Sequence, residues 1–222
     1  LSSSTCCGTQ CCSEPHEFTA FNDDYTKLKG YNKEADLKLG CGIPTEIAEI
    51  KLGDTVIDLG SGAGNDAFVA RALVGEQGKV IGLDMTEPMI EKARKNAAAL
   101  NSKNVEFHLG DIEAMPIESS SVDVVISNCV LNLVPNKEKA FSEVYRILKP
   151  GGQICILEFS TPRKFPMKQF YKFHFKYITP TLGKLFSKDS SAYTYLPESI
   201  KVFPDNERFT EILEKTGYVN AT

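Results

Sequence analysis

The segment VIDLGSGAGND, residues 56–66, constrains the fold more than any other part of the chain. Its apolar, β-branched start predicts a buried strand, and its alternating glycines predict a tight turn before a helix. Further strand-like runs follow, and helical segments separate most of them. This alternation predicts an α/β fold with a doubly wound, mainly parallel sheet covered by helices on both faces. Ligands of such sheets bind at the carboxyl ends of the strands, near the switch in strand order.

The hydrophobic pattern also predicts the bounds of these elements. The predicted strands cover residues 54–60, 79–84, 105–111, 122–129 and 153–159, and the predicted helices cover 65–75, 87–100 and 136–152. Pro150 and the two glycines after it are expected to end the last of these helices. Folds of this kind continue with further strands, whereas the sequence stops at Thr222. We therefore expect a sheet truncated at its last strands, with an open edge on the fifth strand.

Charge and cysteine usage exclude several classes of partner. The 222 residues carry a net charge of −4, so no overall basic field attracts nucleic acid. No apolar run approaches the roughly 20 residues of a membrane span. The seven cysteines are odd in number and clustered, which argues against a secreted disulfide framework and favours the reducing cytoplasm. Because the chain starts at Leu1 and no signal-peptide pattern follows, we expect it to begin inside a longer protein.

The turn after the first predicted strand indicates the kind of ligand. Gly60, Gly62 and Gly64 follow a G-x-G-x-G spacing, whereas dinucleotide-binding turns follow G-x-G-x-x-G. The glycines allow close approach of the backbone, and the N-terminus of the next helix favours a carboxylate. Asp58, just before the turn, would repel a diphosphate but could pair with an amino group. A ligand with both an amino and a carboxylate group fits this turn.

The ends of the next two strands add a nucleoside to this ligand. Asp84 ends the second strand, where a carboxylate commonly holds a ribose diol. After the third strand, in GDIEAMP, Asp111 can accept a hydrogen bond from an exocyclic amine and Ile112 can pack on a purine face. An amino acid, a ribose and an adenine together describe S-adenosylmethionine. NAD binding, or turns that hold no ligand, are the alternatives. The predicted cofactor residues are Asp58, Gly60, Ser61, Gly62, Gly64, Asp84, Met85, Asp111, Ile112 and Asn128.

These three motifs, in this order and spacing, resemble the class I S-adenosylmethionine-dependent methyltransferases, which have a Rossmann-like fold. Residues 1–153 resemble more closely the arsenite methyltransferases, through LGCGIPT with Cys41, SNCVLNLVP with Cys129, and the cysteine pairs at the N-terminus. The resemblance implies that trivalent arsenic is held by thiolates near the methyl group. It therefore assigns arsenic binding and catalysis to Cys41 and Cys129, with arsenite or its thiol conjugate as the small-molecule substrate.

The chemistry of arsenic agrees with this assignment. Soft ions select thiolates over carboxylates and imidazoles. Trivalent arsenic has a lone pair and can act as the nucleophile, so no general base is needed, and the enzyme would contribute mainly proximity and orientation. Each of the two cysteines could instead be an ordinary small core residue. Cys155, within the apolar run ICILEF, is expected to be such a residue. A thiol reductant, glutathione or thioredoxin, is a further expected requirement.

The N-terminal residues are predicted to form a separate unit. Residues 1–32 lack periodicity and are interpreted as a mobile, cysteine-rich arm followed by a lid, with the methyltransferase domain at 33–222. The four thiols of the arm could capture arsenic, bind a partner or zinc, or respond to oxidation. We expect capture of arsenic. The cysteines concerned are Cys6, Cys7, Cys11 and Cys12.

From about residue 155 the chain resembles a different group, the ubiquinone and menaquinone C-methyltransferases. The segments SAYTYLPESI and FPDNERF carry this resemblance. It implies a flat apolar pocket for a quinone ring, for which Phe170, Phe173, Phe175 and Tyr177 are candidates, unless these aromatics simply cover the sheet. Arsenite methyltransferases carry another arsenic-binding cysteine in this part, but no cysteine follows Cys155 here. Quinone methylation and non-catalytic binding of arsenic or metal by thiols therefore stay open as alternatives.

Overall fold

The computed structural model describes residues 24–38, 41–158, 164–174, 203–204 and 207–219. A short 3-10 helix at Tyr25–Lys27 comes first, and a second one at Leu131–Leu133 follows the fourth strand. The strands are β1 (Thr55–Leu59), β2 (Lys79–Asp84), β3 (Val105–Leu109), β4 (Val122–Asn128) and β5 (Leu148–Leu157). The helices are α1 (Pro44–Ile47), α2 (Asn65–Val74), α3 (Glu87–Ala99), α4 (Lys137–Ile147), α5 (Met167–Phe173) and α6 (Glu207–Thr216).

All five strands are parallel and lie in the order β3-β2-β1-β4-β5. The predicted α/β class with a doubly wound parallel sheet is therefore confirmed. The strand order reverses between β1 and β4, so the carboxyl ends of these two strands form the switch point where ligands of such sheets bind. Among the described residues, β5 pairs only with β4.

The strands are apolar on both sides because each face of the sheet is covered. Along β1, Val56 packs into the core on the side of α2 and α3, whereas Ile57 packs into the core on the side of α4. Phe68 is central to the first core and Phe141 to the second, and both are almost completely buried. Two opposed cores of this kind hold the sheet rigid, so its strand ends can present side chains in fixed positions.

The predicted boundary between the last helix and the fifth strand is wrong. Helix α4 ends at Ile147, and β5 begins at Leu148, before Pro150. The residue before a proline avoids helical backbone angles, so the helix ends earlier than its apolar spacing indicates. Leu148 pairs with Val122, and after an irregularity Gln153 pairs with Val124.

The described residues before α1, 24–38 and 41–43, form an N-terminal segment that packs on the sheet and α2. Tyr25 is 3% exposed and contacts Ile43 and Val69, with Leu28 and Tyr31 packed around them. The predicted division of the chain at residue 32 stays a prediction, as does the mobile arm, which lies outside the described residues. Among the residues that the structure describes, no helix is both long and apolar enough to cross a membrane.

Candidate active site

A cavity of about 260 Å³ lies at the switch point of the sheet. Its walls come from the loop after β1, the ends of β2 and β4, and the N-terminal segment. The lining includes six of the predicted cofactor residues, together with Cys129 of the predicted arsenic pair. These residues are Asp58, Gly60, Ser61, Gly62, Asp84, Asn128 and Cys129. Gly64 lies outside the lining and shapes the loop, as the residue that precedes α2.

The loop after β1 is shaped by its glycines and by the neighbouring strand. Gly60, Gly62 and Gly64 have φ angles of 70°, 51° and 96°, a conformation that residues with side chains rarely adopt. The backbone N–H groups of Gly60 and Ser61 both donate to the carbonyl of Leu83, at 2.8 and 3.0 Å. A Cβ atom at Gly62 would meet no atom within 4 Å. The loop is thus held against β2 while its middle faces open space beside the cavity.

Asp84 ties this loop to the end of β2. One carboxylate oxygen accepts a hydrogen bond from the backbone N–H of Gly62 at 3.0 Å, and the other accepts one from Thr86 at 2.8 Å. Each oxygen keeps a second lone pair, which the predicted ribose contact would use. The same side chain therefore supports the loop and faces the cavity.

Asp58 supplies the strongest indication of a ligand. The residue is 1% exposed, and its Oδ2 atom has no hydrogen-bond partner among the described residues. Burial, together with the nearby charges of Asp66 and Asp84, raises the pKa of the Asp58 carboxyl well above its usual range. A positively charged group in the cavity would compensate this cost. The ammonium group of S-adenosylmethionine meets that need, and the open glycine loop and Asp84 suit its amino-acid and ribose parts.

Cys41 and Cys129 lie together at the end of β4, joined in a disulfide with 6.2 Å between their Cα atoms. The two residues are 88 positions apart in the chain, so the fold alone brings them together. Cys129 has a φ of 59°. A positive φ is unusual for a residue with a side chain and marks strain of the kind found at functional sites. The role of the pair in arsenic binding stays a prediction and requires the reduced form, since thiolates are the ligands.

Asn128 connects the segment that carries Cys41 to the sheet. Its side-chain oxygen accepts a hydrogen bond from the Cys41 N–H at 3.0 Å, and its amide group donates to the Gly42 carbonyl at 2.9 Å and to Asp66 at 3.0 Å. The hydroxyl of Tyr25 lies 2.7 Å from both the Gly42 carbonyl and the Asp66 carboxylate. Burial raises the pKa of Asp66, and it also raises the pKa of Tyr25, helped by the charge of Asp66.

Other predicted residues lie outside the cavity. Met85 is 79% exposed, Ile112 is buried in the core on the α4 side, and Asp111 accepts a hydrogen bond from the N–H of Glu113 in its own turn. Their contacts with the cofactor stay predictions. Cys155 is half-buried, with its sulfur 3.7 Å from the Pro44 carbonyl, and burial raises its thiol pKa. The arm cysteines Cys6, Cys7, Cys11 and Cys12 lie outside the described residues.

Some residues of the site gave no signal in the sequence. Asp66 stands in the first turn of a helix, where an acidic residue usually faces solvent and the helix dipole. Here it is buried, because Tyr25 and Asn128 approach it from distant parts of the chain. Met89 and Leu37 line the cavity but are ordinary apolar residues of their segments. Only the three-dimensional arrangement shows their position.

The strand order, the glycine loop after β1 and the acidic residue at the end of β2 define a class I S-adenosylmethionine-dependent methyltransferase. The crystal structure of CrArsM, an arsenic(III) S-adenosylmethionine methyltransferase from Chlamydomonas reinhardtii, has this fold. It is 34% identical to this chain, with a TM-score of 0.61 over 80% of this chain and 55% of that one.

The chain belongs to the ubiE/COQ5 methyltransferase family, whose sequence profile matches residues 43–222. An arsenite methyltransferase from Halobacterium salinarum is 46% identical over 159 residues, which are 70% of this chain and 41% of that protein. A demethylmenaquinone methyltransferase from Lactococcus lactis is 38% identical over 167 residues, 75% of this chain and 66% of that protein. The chain thus spans less than two thirds of the length of either relative.

Proposed function

We propose that this chain transfers a methyl group from S-adenosylmethionine to trivalent arsenic held by the thiolates of Cys41 and Cys129. The observation that carries the proposal is the contact between these two sulfur atoms beside the cavity, because Cys129 lines the cavity together with Asp58 and the glycine loop. A pair of soft ligands next to a cofactor pocket suits a soft substrate atom. The similarity to the arsenite methyltransferase of Halobacterium salinarum supports the same substrate.

The residues of the chain would divide the work between two sides of the cavity. Asp58, Asp84 and the loop of Gly60–Gly64 hold the cofactor, which supplies an electrophilic methyl group when bound. Cys41 and Cys129 hold arsenic with its lone pair free, displace water from it and fix its direction. Since the arsenic lone pair is the nucleophile, the chain's contribution is proximity and orientation rather than proton transfer.

The thiolates must first be released from the disulfide. Reduction takes two electrons and two protons from a thiol donor such as glutathione or thioredoxin, which becomes oxidised to its own disulfide. A reducing compartment, the cytoplasm, would keep the pair in this form. A third thiol on arsenic would come from glutathione or from the arm, whose residues Cys6, Cys7, Cys11 and Cys12 we assign to the capture of arsenite.

A quinone ring is the second candidate acceptor. The family profile and the demethylmenaquinone methyltransferase relative favour it. Helix α5 presents Phe170 at 66% exposure and Phe173 at 56%, beside Met167 at 61%. Exposed apolar side chains of this kind suit a flat apolar ligand. Phe175 and Tyr177 lie outside the described residues. A third candidate, thiol-based binding of arsenic without catalysis, would use the same cysteine pair without a methyl donor.

One assay separates the three candidates. The reduced protein is incubated with S-adenosylmethionine labelled in its methyl group, with arsenite in one reaction and demethylmenaquinone in another. Label on arsenic supports the proposal, label on the quinone precursor supports the second candidate, and tight arsenite binding without turnover supports the third. The variant Cys129→Ser should lose transfer to arsenic, whereas the control Cys155→Ser should keep it, since Cys155 lies outside the cavity.

A further inference from the structure

The disulfide is not the only connection between the N-terminal segment and the end of β4. Tyr25, Cys41 and Gly42 belong to that segment, whereas Asn128 belongs to β4 and Asp66 to α2. The hydrogen bonds of Asn128 and Tyr25 described above join all three parts of the chain, and the Asn128 amide group also donates to the Tyr25 hydroxyl at 3.3 Å. None of these bonds involves the sulfur–sulfur bond, so reduction leaves their donors and acceptors in place.

We propose that Tyr25, Asp66 and Asn128 form a latch that keeps Cys41 beside Cys129 and closes the cofactor cavity when the disulfide is reduced. These three are positioning residues, since they act through the segment that carries Cys41. The biological use of the latch rests on the proposed function, because arsenic binding needs both thiols reduced and close together. The existence of the latch does not rest on it.

The free-energy cost of burying the polar side chains of the latch indicates that they do more than fill space. Tyr25 is 3% exposed and Asp66 is 8% exposed, so a carboxylate and a phenol have both been removed from water. Buried polar groups of this kind are costly unless fully hydrogen-bonded, and apolar residues of similar volume would often stabilise a fold equally well. Their directional bonds to Gly42 and Asn128 instead fix the position of the neighbouring Cys41.

The same segment forms a wall of the cofactor cavity. Tyr25, Asp36, Leu37 and Lys38 all line the cavity opposite Asp58 and the glycine loop. Movement of the segment would therefore separate the two sulfurs and open the cavity together. In the reduced protein the latch and the apolar packing of Tyr25 on Ile43 and Val69 oppose this movement, whereas in the oxidised protein the disulfide also opposes it. The latch and the disulfide should thus each make formation of the other more favourable.

The test compares Tyr25→Phe, which keeps the buried ring and removes the hydroxyl, with Tyr31→Phe as the matched control. Tyr31 lies in the same segment and packs near Tyr25, but its hydroxyl donates to Asp36 at 3.2 Å and to no residue of the latch. Each protein is equilibrated with glutathione redox buffers, its free thiols are alkylated, and the Cys41 and Cys129 peptides are quantified by mass spectrometry. The effective concentration of the Cys41 and Cys129 thiols toward each other should fall about tenfold in Tyr25→Phe. It should change less than about twofold in Tyr31→Phe.

A second measurement separates the latch from a general effect on the cavity. Calorimetric titration with S-adenosylmethionine should show Tyr25→Phe binding about tenfold more weakly than wild type when reduced, and within about twofold of wild type when oxidised. An equal loss in both states would overturn the proposal, because the hydroxyl would then only shape the cavity. An unchanged effective concentration of the thiol pair would overturn it as well.

The wild-type protein gives an independent check that needs no variant. Hydrogen exchange of the backbone N–H groups of Leu28 and Tyr31, both bonded within the segment, is compared before and after reduction. Protection within about threefold in the two states supports the latch. If reduction of the disulfide by itself removes this protection, the latch proposal is wrong. None of these readouts uses arsenic, so a failure of arsenite to bind would remove the proposed function and leave the latch intact.

Discussion

Substitution of Asp84 by asparagine should weaken cofactor binding by a magnitude that follows from its two hydrogen bonds. The carboxylate accepts from the N–H of Gly62 at 3.0 Å and from the N–H of Thr86 at 2.8 Å. Asparagine has one acceptor oxygen, so its NH₂ group must face one of these two donors. A hydrogen bond to a charged group contributes about 1.5–3 kcal/mol. The loop would lose one such bond, and the ribose would lose part of its acceptor.

We expect Asp84→Asn to bind S-adenosylmethionine about tenfold to a hundredfold more weakly, since about 1.4 kcal/mol corresponds to each factor of ten. Isothermal titration calorimetry measures this affinity, and urea unfolding measures how much the substitution lowers the free energy of unfolding. The matched control is Asp54→Asn, whose carboxylate accepts from the Lys51 N–H at 2.8 Å in an exposed turn outside the cavity lining. If Asp84→Asn lowers stability but binds the cofactor like wild type, Asp84 supports the loop only and our reasoning about the ribose is wrong.

Three further predictions concern the acceptor, the arm and the stability of the fold. Cys129→Ser replaces a soft thiolate by a hydroxyl, so arsenite affinity and turnover should fall together while calorimetry shows cofactor affinity retained; normal methylation of arsenite would contradict this. Deletion of residues 1–12 should weaken arsenite capture at low concentration, measured by equilibrium dialysis, and added glutathione should partly restore turnover; undiminished affinity would make the arm irrelevant to capture. The hydrogen bonds of Arg146 lower the pKa of Glu143 despite partial burial. At pH values above the unfolded-state pKa of about 4.3, the Glu143 carboxylate therefore stabilises the fold. This contribution is lost as the pH falls through the lower pKa of the folded state. Urea unfolding should therefore show Glu143→Gln about 1–3 kcal/mol less stable than wild type near pH 7, with the difference shrinking toward pH 3; a constant difference would contradict the linkage.

The parts of the fold that follow from local sequence were predictable. The apolar run and the glycines of residues 55–64 specify strand and turn by hydrophobic pattern and backbone freedom alone, and the structure has both. Pro150 indicates that the helix ends before Lys149, but the start of β5 at Leu148 was not predictable in this way, because it depends on the pairing of Leu148 with Val122. Strand pairing is a tertiary effect, and a single sequence does not display it.

The residues of the candidate site also differ in whether local sequence or tertiary contacts determine their position. Asp58 and Asp84 were predictable because Asp84 ends β2 and Asp58 lies one residue before the end of β1, and the parallel sheet brings strand ends to one edge. Asp66 was missed, since its partners Tyr25 and Asn128 are 41 and 62 positions away in the chain. The turn after β3 was also expected to reach the cofactor; Ile112 is buried in the core on the α4 side, and its contact with the cofactor stays a prediction. Packing depth depends on neighbours that the local pattern does not specify.

The boundary of the family profile does not coincide with the boundary of the working site. The profile begins at residue 43, whereas Tyr25, Leu37 and Cys41 all precede it. A fragment cut at that boundary would keep every strand of the sheet, yet it would lack one wall of the cavity and one half of the thiol pair. Under the proposed function, exchange of this short N-terminal segment would change the methyl acceptor while the five strands described here stay the same.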